Sequence, residues 1–172
     1  MVEMTLRNLV VGGGPIPSAI ILQPASDEND SELVLPISVG TVDAANVARA
    51  TNADDHKRPA THALLVDTID ALGGELESVS ITRVEGATFF ATLDVRSATG
   101  EQHHIDARPS DAISAAIEAD APVLASEDGA TACPKGAALF SIVKSLKVIS
   151  LPDTLTVYVR NVPILLILAW SS

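Results

Sequence analysis

Cysteine, aromatic and basic residues are all scarce in this 172-residue chain. The single cysteine, Cys133, excludes an internal disulfide framework and a cysteine-based zinc site. Aromatic residues make up 3 % and apolar residues 47 %, so the core must be built from Val, Ile, Leu and Ala. The first residues, MVEMTLRNLV, lack the basic-then-apolar layout of a secretory signal. Together with the single cysteine, this predicts a cytoplasmic location.

The charge balance is acidic and uneven along the chain. The net charge is −11, from 11 basic and 22 acidic residues, which excludes a protein that coats nucleic acid by charge alone. Residues 1–128 carry 7 basic and 21 acidic residues, whereas residues 129–172 carry 4 and 1. This break predicts a domain over 1–128 and a divergent apolar tail over 129–172, either a packed extension or poorly ordered. The tail's run VPILLILAW is too short to span a bilayer as a helix, so we expect no membrane partner.

The residue pattern predicts an α+β fold. Strand-like stretches such as TLRNLVVG, SAIILQP and ELVLPISVG precede helical spacing in TVDAANVARATN. A further helix is predicted over 60–72, stopped by Gly73 and Gly74. Strands and a helix then recur, and a shift of 68 residues lays PISVGTVDAANVARA over HIDARPSDAISAAIE. We therefore expect duplicated β-β-β-α units that share one mainly antiparallel sheet covered by helices.

The densest group of reactive side chains lies in HHIDARPSDA, at the start of a predicted helix. Pro109 suits the first helical position, which makes Arg108 the N-cap and allows Asp111 to reach back to the N-cap N–H. This explains the motif as architecture alone. Arg108 and Ser110, beside the free N–H groups of the first turn, could instead hold a phosphate. Asp106 would lie on the same face as His104 and Arg108, and carboxylates with a histidine near a phosphate are parts of metal-assisted phosphodiester cleavage.

His62, in RPATHALL, is the second candidate. In the structural interpretation Thr61 caps the helix, or His62 bonds to a nearby carbonyl; in the functional one His62 is an acid or base. His56 and His103 are expected at the solvated surface. The glycines in GGGP lack a phosphate-loop pattern, and Cys133 has no histidine partner that would make it a nucleophile.

Several ordered blocks up to about residue 128 resemble the bacterial and plant bifunctional nuclease family. They include LPISVG, RPATHALL, TFFATL and, above all, DARPSDA. The resemblance implies a compact domain with duplicated units, homo-oligomers that are most simply dimers, and nuclease activity on RNA and DNA. The positions that match its motifs are Arg58, Pro59, Thr61, His62, Asp106, Arg108, Pro109, Ser110 and Asp111. This chain departs from it at Asp43, where Glu is common, at Ala63, where Asp is common, and in its apolar tail.

Two functions remain open. In the first, the protein is a nuclease with His62, Asp106, Arg108 and Asp111 as catalytic residues. Asp106 and Asp111 would hold Mg²⁺ or another divalent cation, and Arg58, Arg108 and Ser110 would bind the substrate; His104 is the alternative acid or base. In the second, the protein is a non-catalytic oligomeric binding or regulatory module, which the acidic charge and the few aromatics for base stacking favour.

Overall fold

A computed structural model describes residues 1–12, 18–26, 34–52, 58–86 and 88–126, and the backbones of 154–159 and 162–167. The strands are β1 (Val2–Gly12), β2 (Ser18–Pro24), β3 (Leu35–Val39), β4 (Glu75–Glu85), β5 (Thr88–Arg96), β6 (Gln102–Ala107), β7 (Val123–Ala125), β8 (Thr154–Val159) and β9 (Val162–Ile167). The helices are α1 (Thr41–Ala50), α2 (Thr61–Ala71) and α3 (Pro109–Ala119). Four features of the sequence lie outside the described residues: positions 13–15 of GGGP, the acidic stretch 27–32, His56 and Cys133.

Seven strands form a sheet in the order β3-β2-β1-β7-β4-β5-β6. The short strand β7 lies between the two hairpin-linked groups, antiparallel to β1 and parallel to β4. Strand β9 also pairs with β1, in parallel, through Leu9–Gly12. The α+β class is confirmed, but the sheet is mixed rather than mainly antiparallel, because these long-range pairings are set by tertiary contacts and not by hairpin links.

The order strand, strand, strand, helix occurs twice in the described chain, as β1-β2-β3-α1 and as β4-β5-β6-α3. That order agrees with the expected units. The duplicated β-β-β-α unit itself is not confirmed and stays a prediction.

Local signals account for the helix ends. At the end of α2, Gly73 has a φ of +77°, which glycine adopts without strain. The N–H of Gly74 donates to the carbonyl of Ile69, and that of Gly73 to the carbonyl of Asp70. This pair of bonds is the Schellman pattern, and it satisfies carbonyls that the helix leaves free. Helix α3 ends in the same way at Asp120, whose φ is 54°.

The core lies between the helices and one face of the sheet. Helix α3 contacts both α1 and α2 and packs on β4 and β5. Its buried alanines Ala112, Ala115 and Ala116 allow a close approach to the sheet. The fully buried large side chains are Val, Ile and Leu, as the composition predicts, and Phe89 only flanks them. Strand β5 alternates, with Leu93 and Val95 in the core and Asp94 on the opposite face.

The predicted boundary near Gly129 is followed by residues outside the description, and the domain division stays a prediction. The strand expected at TLTVYVRNV corresponds to β8 and the start of β9, which pair antiparallel. Among the described residues, no helix has the length and apolar character needed to cross a membrane.

Candidate active site

The starts of the three helices meet at one point, where four side chains form what we call the helix-start cluster: Asp43, His62, Arg108 and Asp111. Asp43 and Asp111 are each the third residue of their helix, His62 is the second residue of α2, and Arg108 is the N-cap of α3. Pro109 favours an extended conformation in the residue before it, and Arg108 adopts φ −72° and ψ 144°. The predicted start of α3 is therefore confirmed.

The expected side-chain caps do not form. Among the described residues, no side-chain cap hydrogen bond is made at the three N-cap residues, Gly40, Ala60 and Arg108. Asp111 does not reach back to the N-cap N–H, because its two oxygens accept bonds from other side chains. Helix α2 begins at Thr61, two residues after Pro59, whereas α3 begins at Pro109 itself, so Thr61 is the first residue of its helix and not the cap.

Asp111 is the centre of the helix-start cluster. Its Oδ2 accepts from Arg108 Nε at 2.7 Å, and its Oδ1 accepts from Arg108 Nη2 at 3.0 Å. Oδ1 also lies 3.1 Å from His62 Nε2, across 49 residues of sequence. Arg108 Nη2 lies 3.2 Å from Asp43 Oδ1. Asp111 and His62 thus form an aspartate–histidine pair. The guanidinium of Arg108 binds both oxygens of Asp111 and also reaches the carboxylate of Asp43.

Exposure falls steeply across the helix-start cluster. The side chain of Arg108 is 64 % exposed, that of Asp111 34 %, that of Asp43 22 % and that of His62 12 %. The guanidinium is therefore open to solvent while the imidazole lies behind it. Two carboxylates face one guanidinium, so the cluster carries a net charge of −1 when His62 is neutral.

Burial acts to raise the pKa of Asp111, but the hydrogen bonds from Arg108 and His62 outweigh it, and the pKa is lowered. Asp111 raises the pKa of Arg108 through its hydrogen bond and its negative charge, and the charge of Asp43 acts in the same direction. Asp111 is thus ionised at neutral pH, the form that orients an imidazole and stabilises its protonated state.

The other predicted site residues lie apart from this cluster. Asp106 is exposed on β6 opposite Thr92 and makes no hydrogen bond or ion pair with the described residues. Arg58 is exposed and likewise has no such partner among the described residues. Ser110 is buried, with 5 % exposure, and its carbonyl accepts from Ser114. The structure therefore brings together His62, Arg108 and Asp111, but not Asp106.

The carboxylates as arranged do not fit the predicted divalent cation. Both oxygens of Asp111 already accept from cationic or ring N–H groups, and Asp106 is not beside it. Within the described ranges, no three His, Cys, Asp or Glu side chains are placed to hold a metal ion. A cation bound by Asp106 and Asp111 together would require the Arg108 clamp to open.

A second polar group, the sheet-face cluster, lies on the face of the sheet opposite the helices and consists of Ser78, Ser80, Asp94 and His104. Asp94 Oδ2 accepts from Ser80 at 2.7 Å and from Ser78 at 2.9 Å, and its Oδ1 lies 2.7 Å from His104 Nδ1. Burial acts to raise the pKa of Asp94, but the bonds from Ser80, His104 and Ser78 lower it overall. The ring of His104 is 70 % exposed.

Asp94 was not singled out from the sequence, and Asp43 was noted there only as a departure from the family pattern. A signal for Asp94 did exist, since an aspartate inside the apolar strand TFFATLDVR is disfavoured unless its carboxylate is bonded. The role of Asp43 had no local signal, because its partner Arg108 is distant in sequence.

The protein is an α+β domain, with a mixed sheet and three helices on one face. It has a candidate acid–base site, the aspartate–histidine–arginine cluster at the helix starts. Residues 21–132 match the bifunctional nuclease domain, and the chain belongs to this family. The resemblance carried by DARPSDA is therefore confirmed. The matched region contains both clusters.

Two uncharacterized proteins of Mycobacterium tuberculosis, one from strain CDC 1551 / Oshkosh and one from strain ATCC 25618 / H37Rv, are similar to this chain. Each is 33 % identical over 100 residues, which is 58 % of this chain and 58 % of the relative. The chain thus spans a little over half the length of these relatives, and their names assign no activity.

Proposed function

We propose that this protein is a nuclease that cleaves phosphodiester bonds of RNA or DNA at the helix-start cluster. Membership in the bifunctional nuclease domain family supports the reaction class. The observation that carries the proposal is the meeting of His62, Asp111 and Arg108, which come from two separate helix starts.

Each residue has a separate role in this proposal. Asp111 fixes the ring of His62 through Nε2, which leaves Nδ1, with no hydrogen bond to the described residues, to move a proton as general acid or base. Arg108 uses Nε and Nη2 for the two aspartates, and its Nη1 has no partner within the described part of the chain. Nη1 can therefore bind a phosphate oxygen by a single bond while the clamp stays closed.

The acidic surroundings limit how substrate binds. Asp43 and Asp111 oppose the approach of a phosphate, so binding depends on the exposed side of Arg108 and weakens as salt screens it. A divalent cation would supply charge neutralisation of the phosphate, but no step in this proposal passes through one. The predicted dependence on Mg²⁺ is tested by cleavage in EDTA. Full activity would remove the cation from the account, and loss that Mg²⁺ restores would favour a site involving the exposed Asp106.

The test of the proposal compares His62→Gln with His103→Gln on labelled single-stranded RNA and DNA. His103 is a matched control because its side chain is exposed and lies outside both clusters. Its Nε2 is 4.0 Å from Oε2 of Glu101. We expect His62→Gln to lose at least about 100-fold in rate, the range of acid–base catalysis, and the control to retain full activity. Equal rates in both variants, purified alike, would show that the cleavage does not use His62.

The alternative, a non-catalytic oligomeric binding or regulatory module, has one specific observation in its favour. The carboxylates of the helix-start cluster are satisfied internally by Arg108 and His62, as in a structural ion-pair network. In that case the preparation would have no cleavage that depends on His62 or Arg108. His62→Gln and His103→Gln would then differ from the unaltered protein only in stability.

A further inference from the structure

We propose that Asp43 is a displaceable anion on Arg108, and that a phosphate group takes its place with two hydrogen bonds where Asp43 makes one contact. The ligand is a phosphate oxyanion, either a phosphodiester within a nucleic acid or a phosphate monoester at its end. This inference rests on the proposed function, in which Arg108 meets the phosphate. It adds that Asp43 controls how tightly the phosphate is held.

The guanidinium of Arg108 has two edges, and each edge can bind an oxyanion through a pair of parallel N–H groups. The inner edge, Nε with Nη2, is filled by Asp111, at 2.7 Å and 3.0 Å. The outer edge consists of Nη1 and the second N–H of Nη2. Asp43 Oδ1 lies 3.2 Å from Nη2, and Nη1 has no partner among the described residues. The outer edge is therefore only half-occupied.

The two carboxylates on Arg108 are held to different degrees. Asp111 accepts two hydrogen bonds from Arg108 and also lies 3.1 Å from Nε2 of His62. Asp43 makes one longer contact with an arginine that is 64 % exposed, and ion pairs this open to solvent stabilise a fold only weakly. Its position in the first turn of α1 favours its charge even without Arg108. A competing anion should therefore displace Asp43 and leave Asp111 in place.

A phosphate can use the outer edge of Arg108 more fully than Asp43 does. Two oxygens of a phosphate match the parallel N–H groups of a guanidinium edge. Asp43 offers one oxygen, because its Oδ2 is turned toward its own helix start, where a Cβ at Gly40 would lie 3.0 Å away. While Asp43 is in place, a phosphate is limited to Nη1 and lies beside a carboxylate that repels it. Once Asp43 moves away, the phosphate gains the second bond.

This competition gives Asp43 an effect opposite in sign to that of a residue that only supports the site. Loss of a supporting residue weakens ligand binding, because the remaining groups are less well positioned. Loss of the Asp43 carboxylate should instead strengthen phosphate binding, since the outer edge of Arg108 is then free. A gain in affinity therefore distinguishes the two roles.

The first experiment measures binding of inorganic phosphate to the full chain by phosphorus NMR. Asp43→Asn should lower the dissociation constant at least about tenfold, because it removes the competing charge. Asp43→Ala, which also lacks the amide oxygen, should bind at least as tightly. The matched control is Asp67→Asn, which removes the same charge from an exposed position on α2 and should change the constant by less than about twofold. Dissociation constants in both Asp43 variants that are no lower than in the control would overturn the proposal.

The second experiment separates the outer edge from the charge. Arg108→Lys keeps a positive charge but has no edge with parallel N–H groups. In that background, Asp43→Asn should improve phosphate binding by less than about threefold, since only repulsion is relieved. An improvement as large as in the chain that retains Arg108 would show that charge alone governs binding, and the two-bond contact would be wrong.

The third experiment identifies the source of the phosphate by comparing cleavage of oligonucleotides with a terminal phosphate and with terminal hydroxyls. Asp43→Asn should lower KM by more than it alters kcat. A lower KM for both oligonucleotides identifies a phosphodiester as the ligand, and a lower KM for the phosphorylated one alone identifies a monoester. If Asp43→Asn gains phosphate affinity but no preparation cleaves, the proposed nuclease is wrong and the phosphate site stands. Cleavage that depends on His62, without that gain, would remove the phosphate site alone.

Discussion

Asp43 and Asp111 occupy the same position in two different helices, 68 residues apart in the chain, and both pair with the guanidinium of Arg108. Each is the third residue of its helix, where a negative charge is favoured by the helix dipole. Gly40, the N-cap of α1, stands where α3 has Arg108, so one arginine serves both carboxylates. A Cβ at Gly40 would lie 3.0 Å from Asp43 Oδ2, which shows how closely that side chain folds over its own helix start.

This shared guanidinium predicts coupling between Asp43 and Arg108. Arg108→Ala should lower the free energy of unfolding only slightly, because Arg108 is 64 % exposed and solvent screens its ion pairs. The same change in an Asp43→Asn background should cost less, since one unpaired carboxylate is then absent. Urea denaturation of the four proteins gives the coupling between the two residues, which should be favourable. Strictly additive effects would show that Asp43 does not interact with Arg108.

The lowered pKa values of Asp94 and Asp111 predict loss of stability in acid. Both groups bind protons more weakly in the folded protein than at the ordinary value of 3.8, so their stabilisation is complete above that value. It is lost as the pH falls through the lower, folded values. The fall in unfolding free energy between pH 5 and pH 3 should be smaller in Asp94→Asn and in Asp111→Asn than in the unaltered protein. Identical slopes in all three would mean that neither carboxylate has a lowered pKa.

The hydroxyl groups that hold Asp94 predict a further effect. Ser80 is 6 % exposed and donates to Asp94 at 2.7 Å. Ser80→Ala should raise the pKa of Asp94 toward its ordinary value and reduce the free energy of unfolding by about 1 kcal/mol. Carbon-detected NMR titration of the Asp94 carboxyl measures the first effect. Ser97→Ala, which removes an exposed hydroxyl bonded to Thr99 and to the N–H of Glu101, is the control and should leave the pKa of Asp94 unchanged. An unshifted titration in Ser80→Ala would contradict the assigned hydrogen bond.

Pairing of β9 with β1 predicts that the apolar tail contributes to stability. The partners of β9 include Leu9 and Val10, which are 0 % and 3 % exposed. A chain that ends at residue 128 loses this pairing, so it should unfold at a lower urea concentration and resist proteolysis less well. Unchanged stability on removal of residues 129–172 would instead support the domain boundary predicted near Gly129.

The parts of the fold that depend on local signals could be predicted from sequence. Pro109 set the start of α3, and Gly73 with Gly74 ended α2 within one residue of the prediction. The position of β7 between β1 and β4 could not be predicted, because parallel pairing across the middle of a sheet has no local signature. The sheet was therefore expected to be mainly antiparallel and is mixed.

In the candidate site, too, the features set by local sequence signals could be predicted and those set by contacts distant in sequence could not. His62, Arg108 and Asp111 were singled out from residue type and helix position, and they do meet. The partner of Asp111 was predicted to be a backbone N–H, since a cap is the local choice, whereas a histidine 49 residues away takes one oxygen. Asp106 was grouped with Arg108 from strand alternation, which ignores the turn of the chain at Pro109.

The central claim is that the pair of Asp111 and His62 is an acid–base centre, and the most direct measurement is the single-turnover rate of cleavage of labelled RNA and DNA as a function of pH. The account predicts a limb in the pH–rate profile that disappears in His62→Gln and shifts in Asp111→Asn, while His103→Gln keeps the profile of the unaltered protein. A profile and rate that are the same in His62→Gln as in the His103→Gln control would contradict it, and the helix-start cluster would then be a structural network only.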